Sequence, residues 1–140
     1  MPKANQVEVS VNSKLSPKVV AACVLAFLLP GAGHVYLRKY WHAAVFFTTT
    51  ILLAVAGIMQ NGELHSFLRG SANEGFLQLM ASIGNVGLGI LHLVFVLFGL
   101  GLGDVQAATY EYGTTFIVIA ALINILVVLN AFDIASGAKK

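Results

Sequence analysis

The sequence predicts an all-α integral membrane protein: four transmembrane helices, or three plus a hairpin broken by proline and glycine, packed in a compact bundle. Three observations lead there. Apolar residues make up 58% of the chain and charged residues 10%, whereas a soluble domain typically has about 45–50% and about 25%. Four long apolar stretches occupy most of the 140 residues. Charged side chains fall at the ends of these stretches or between them. The length leaves room for one domain: residues 16–137 form it, after a polar tail over 1–15 and before a basic tail over 138–140.

The tail 1–15 lacks a short apolar core followed by small residues, so it does not read as a signal peptide. Ser16-Pro17 starts the first helix, with a capping hydroxyl and a proline in the first turn, where its missing N–H does no harm. The first span covers about 19–37 and contains Pro30, Gly31 and Gly33. Pro30 removes a backbone donor and clashes with the preceding turn, so the regular helix ends or kinks near Leu29. Two geometries remain open, a kinked full crossing and a short helix followed by irregular backbone. Lipid tolerates the second only where protein covers the freed carbonyls, and the kinked crossing is preferred here.

The second span, about 43–59, is near the lower length for crossing a ~30 Å core. Gln60-Asn61-Gly62 ends it as a turn. The third, about 76–102, exceeds what a bilayer needs and should tilt. The fourth runs from about 114 to 134, with Tyr110 and Tyr112 before it as interfacial anchors; Tyr36, Tyr40 and Trp41 do the same at the first hairpin. With four crossings both termini share one side. Lys3, Lys14, Lys18, Arg69, Lys139 and Lys140 then outnumber Arg38 and Lys39 on the other, and the positive-inside bias puts both termini in the cytoplasm of a cell whose inner membrane holds the chain. The same topology brings Arg38 and Lys39 to the side of Asp104 and Glu111.

In the third span Gln78, Ser82, Asn85, Gly89, His92, Val96, Gly99 and Gly103 recur every three or four residues, on one helical face. Helices in lipid associate through small residues that allow close approach and polar ones that bond across the contact. This stripe is therefore a packing seam, with Gly99 and Gly103 as its GxxxG element. Asn124 on the fourth span lies at similar depth to His92, and a hydrogen bond between them is expected. Ala121, Val128, Ala131 and Ala135 accompany Asn124, while Ala22 and Ala26, and Thr50, Ala54 and Gly57, play the same part on the first two spans.

His92 is also the one candidate cofactor residue, because an ionisable group deep in a membrane is a functional hypothesis by default. It would serve as axial ligand to a tetrapyrrole pigment or a haem; the plainer expectation is a neutral imidazole bonded to another helix, with no cofactor. His34, His42 and His65 lie nearer the surfaces. There is no HExxH, no CxxC and no paired carboxylate at helical spacing, so no metal site is expected. No nucleophile–base pair stands out, hence no catalytic residue and no enzyme. The net charge of +2 and the lack of a basic run leave nucleic acid without a footprint. Cys23 stands alone in the first span as a small packing residue.

The segment Pro30-Gly31-Ala32-Gly33-His34-Val35-Tyr36-Leu37-Arg38 resembles the hairpin of the two-transmembrane (TM-two) domain family, in which a glycine-rich turn, a histidine, an aromatic-leucine pair and a basic residue join two helices. The resemblance covers 25–47. Here the spacing is compressed and Arg38 stands where that family usually has glycine. It implies a hairpin type and no activity. The longer arrangement, including Tyr110-Glu111-Tyr112-Gly113-Thr114-Thr115-Phe116 and Phe132-Asp133-Ile134-Ala135, is similar to uncharacterised small bacterial membrane proteins with four spans. Together these features lead to an expected role as an accessory or structural subunit of a larger inner-membrane complex, with the bilayer and other membrane subunits as partners. A small oligomeric transporter or channel is the alternative, and a pigment- or haem-binding subunit using His92 the third.

Overall fold

The computed structural model describes residues 16–65 and 82–138, and they are mostly helical. Helix α1 is Pro17–Leu28, α2 Ala32–Tyr36 and α3 Tyr40–Met59. Residues 82–86 form α4, followed by α5, Ile90–Leu97, and α6, Tyr110–Ala135. Two of these helices, α3 and α6, are long and apolar enough to cross a membrane. At 20 and 26 residues they are ~30 Å and ~39 Å long.

The pair α3 and α6 runs antiparallel, because the end of α3 meets the start of α6. Gly57 faces Gly113 and Ile117 so closely that a Cβ on Gly57 would lie 2.7 Å from the Gly113 carbonyl oxygen, and one on Gly113 would lie 2.6 Å from that of Gly57. Ala54, Ile117, Ala120 and Ala121 continue the contact into a core that also takes in Leu64, Leu88 and Phe95.

The first apolar stretch is not one continuous helix. Helix α1 is ~18 Å long and stops where Pro30 pushes Leu29 into extended backbone, φ −135° and ψ 121°. Gly31 then takes φ 83°, the left-handed turn that lets the chain reverse. Helix α2 returns along α1: Gly33 sits against Ala22 and Ala26 with no room for a side chain. Lys18, at the start of α1, lines one cavity together with Tyr36 at the end of α2, Leu37 and Arg38 just after it, and Ile134 and Ala135 at the end of α6. Of the two geometries open in the sequence, this is the short helix with irregular backbone. One consequence corrects the expected loop pairing. Arg38 and Lys39 lie at the C-terminal end of α6, while Glu111 lies in its first turn and Asp104 donates its backbone N–H to Asn61 O just past α3, so the cations and these acids are at opposite ends.

The third stretch is not one helix either. Gly89, with φ 64°, separates α4 from α5, and Gly99, Gly101 and Gly103 all have positive φ after it. Among the described residues the chain passes from Asn85, beside His65, down to Gly87 against Ala121 of α6. It then turns back to Gly101, where Leu64 N–H donates to the Gly101 carbonyl at 2.8 Å. This is a second broken hairpin, entering from the end opposite to the first. Gln78, counted in the expected seam, lies outside the described residues.

Candidate functional site

The tips of the two hairpins meet halfway along α6, at Asn124. Its side-chain amide donates to Gly87 O at 2.7 Å and to Phe27 O at 3.3 Å. One carbonyl belongs to each hairpin, and both are left without a helical donor where a helix ends. Gly89 presses on the carbonyls of Phe27 and Leu28, where any Cβ would collide with backbone. Asn124 is fully buried. The hydrogen bond expected between Asn124 and His92 is therefore replaced by two bonds to backbone, which have the stronger claim on its N–H groups because unpaired buried carbonyls are costly.

A second buried polar contact ties the first hairpin to α6. His34 is 0% exposed, and its Nε2 and Asn130 Oδ1 are 3.0 Å apart. The ring also packs on Phe46, centroids 5.0 Å apart, and stacks with His42 at 6.2 Å. His34, placed by the sequence nearer a surface, thus reaches α6 across the inner side of α2. Nothing in the sequence marks Asn130 as its partner; Asp133, a turn further along α6, is exposed.

The remaining positions of the expected seam divide at Gly89. Ser82, Asn85 and His92 are buried, and Asn85 donates to His65 O at 3.3 Å. Gly99 has nothing within 4 Å of where its Cβ would be, and Gly103 lies in the loop against Glu63 and Tyr110. Both have left-handed backbone, so they do not form a GxxxG helix face. Ala22, Ala26, Thr50, Ala54, Gly57, Ala121 and Ala131 are all buried.

The broken elements at the far end are stapled by polar groups. Tyr110 Oη donates to Glu63 Oε2 at 2.5 Å, Glu63 N–H to Thr114 Oγ1 at 3.0 Å, and Thr109 Oγ1 to Gln60 O at 2.9 Å. Glu63 and Leu102 form an isolated antiparallel bridge. Tyr110 opens α6 ahead of the apolar run that starts at Thr114. Burial, and then the neighbouring Glu63 carboxylate that accepts its hydrogen bond, push the Tyr110 phenol up to about 12.

With this arrangement in view, affiliation is decided by comparison with protein families: the model for the "Family of unknown function (DUF6677)" matches residues 21–140. The chain belongs to DUF6677. The match takes in both broken hairpins and both long helices, so the Asn124 junction lies wholly inside the DUF6677 region. No curated protein and no solved structure matches the chain.

The chemical capacity of this DUF6677 interior follows from its groups. His34 Nδ1, Thr50 Oγ1, Ser82 Oγ, Asn85 Oδ1 and Asn124 Oδ1 are buried without a hydrogen-bond partner. All are neutral amides, hydroxyls or imidazole, and among the described residues no group of three or more His, Cys, Asp and Glu is placed to hold a metal ion. His92 is on α5 at 8% exposure.

Proposed function

We propose that this protein resides in a bacterial inner membrane, crossing it with α3 and α6 and entering it from both sides with the two hairpins. The observation that carries the reading is exposure. Only 22% of the most apolar window of α3 and 33% of that of α6 is buried, whereas the core helix of a soluble fold is mostly buried. Leu52 and Leu126 are each 63% exposed and Leu129 57%, an outward apolar surface that calls for lipid or partner helices. Irregular backbone at the two tips is acceptable in lipid because protein covers it. Charge gives the orientation. Lys18, Arg38 and Lys39, the described cations, gather at the end where α1 begins and α6 finishes, while Glu63, Asp104 and Glu111 lie at the other. The positive-inside bias directs the first end, and both termini with it, to the cytoplasm. Its hairpin carries the features that resemble the TM-two type, re-entrant in this chain, and a four-crossing bundle is not needed to account for the apolar stretches.

Within that membrane the protein acts as a non-enzymatic accessory or structural subunit of a larger complex. The support is that the buried Asn85 and Asn124 amides bind its own backbone, while its outer faces are left apolar. Purification from the native host's membranes in mild detergent tests this: stoichiometric co-purifying membrane subunits are the expected result, and a lone homo-oligomer refutes it. One feature favours a second reading, transport. Discontinuous helices meeting at mid-depth are how transporters expose backbone carbonyls to a substrate. The tight seating of Gly89 on Phe27 and Leu28 closes that junction, so flux through reconstituted liposomes, abolished by Asn124→Ala, would be needed to put transport first. The pigment or haem reading stands on His92 and is tested by visible absorbance lost in His92→Leu.

A further inference from the structure

Helix α1 begins, α2 ends and α6 finishes around a single cavity of about 480 Å³, lined by Lys18, Tyr36, Leu37, Arg38, Ile134 and Ala135. Its make-up is two-sided. Lys18 and Arg38 supply cations from different segments, exposed at the rim, and Tyr36 adds a hydroxyl; Leu37, Ile134 and Ala135 are half-buried and apolar. No acidic side chain lines it. A second cavity of similar size, about 490 Å³, is lined by Leu29, Pro30, Val35, Phe47 and their neighbours without any charged residue, so the basic rim distinguishes the first from it.

Arg38 holds its place against the backbone's preference. Its φ is 59°, a conformation that glycine adopts freely and an L side chain does not. Arg38 N–H donates to Val35 O at 2.9 Å and Lys39 N–H to His34 O at 2.8 Å, fixing the turn that puts Arg38 in the lining of the cavity with Lys18. A guanidinium offers a planar fork of donors suited to phosphate, and an ammonium adds a point charge.

We infer that this cavity binds the phosphate of an anionic phospholipid, with Lys18 and Arg38 on the phosphate, Tyr36 as a further donor, and acyl chain against Leu37, Ile134 and Ala135. The inference rests on the membrane reading above, which puts this end at the cytoplasmic headgroup level. Basic pockets between helices on that side are where anionic headgroups dock.

The test uses the full-length protein in neutral detergent. Phosphatidylglycerol, phosphatidylcholine and inorganic phosphate are added separately, and retained lipid is counted by native mass spectrometry alongside the thermal midpoint. The wild type should retain phosphatidylglycerol in preference to phosphatidylcholine and melt higher with it. The double variant Lys18→Gln/Arg38→Gly should lose about tenfold or more of that retention, while glycine suits the φ of residue 38 and keeps the turn. Should the double variant not fold, Lys18→Gln alone must still weaken retention. Lys18→Arg/Arg38→Lys, which preserves charge, should keep most of it. Stabilisation by inorganic phosphate alone, lost in the double variant, supports the phosphate chemistry and gives a soluble source for it. Retention unchanged in the double variant, or equal retention of phosphatidylcholine, overturns the site. Fractionation of host cells separates the two failures, since a protein found in the soluble fraction overturns the membrane reading whatever the lipid result.

Discussion

Replacing Asn124 by leucine keeps the side chain's approximate size and removes both N–H donors. The structure shows what is lost: the bond to Gly87 O at 2.7 Å and the weaker one to Phe27 O at 3.3 Å, each from a fully buried side chain. Hydrogen bonds between membrane helices average ~0.6 kcal/mol and reach ~1.7 kcal/mol. Two such bonds give about 1–3 kcal/mol, a factor of about 5 to about 150 in the folded-to-unfolded ratio. Unfolding in mixed micelles, followed by helicity as SDS is titrated in, measures it. Hydrogen exchange measures something sharper. Because one amide anchors both tips, protection should fall together over 25–30 and 84–90. A cost under about 0.3 kcal/mol, well below even one average bond, refutes the reasoning, as does loss of protection at one tip alone.

Other expectations follow from the same geometry. Gly113→Ala forces a methyl to within 2.6 Å of Gly57 O and Gly62 N and should cost about 1–3 kcal/mol by overpacking. Gly99→Ala meets no atom within 4 Å and should cost only the ~1–2 kcal/mol of left-handed backbone; a cost well above that in the same titration would contradict the open space at Gly99. Spectrophotometric titration of the four tyrosines should show one phenol, Tyr110, ionising only near about 12, and Glu63→Gln should lower it part of the way. A folded pKa above the unfolded value means that the Tyr110 contribution is whole below pH ~10 and is lost as pH rises through about 12. Tyr110→Phe should therefore flatten the stability loss over that range.

The helical character of the fold and the two long apolar helices are legible from composition and apolar run length, which lipid-soluble helices cannot avoid. Pro30 and Gly31 correctly mark a break, because a proline ring and a left-handed glycine act locally. Whether the chain then continues or returns is a non-local question. It is decided by Gly33 fitting against Ala22 and Ala26, a contact between residues whose spacing in the sequence carries no such signal. The third stretch misleads for the opposite reason. Its polar and small residues keep helical spacing straight through Gly89, so periodicity alone joins α4 to α5. Gly87, Gly89, Gly99, Gly101 and Gly103 were the available warning: five glycines in seventeen residues weaken any helix, and four of them have positive φ. Asn124 stands out in the sequence as a polar residue in an apolar helix. Its partners do not, because backbone carbonyls freed by breaks elsewhere have no sequence signature of their own.

The central claim, two crossing helices with two hairpins that enter and return, is tested most directly by side-specific cysteine labelling. Single cysteines at 38, 61, 106 and 138 would be introduced in a Cys23→Ala background and treated with a membrane-impermeant thiol reagent on intact cells and on inverted vesicles. The arrangement described here predicts that 38 and 138 label from the cytoplasmic side and 61 and 106 from the other. Labelling of 38 together with 106, opposite to 138, would contradict it and restore a full crossing by the first hairpin.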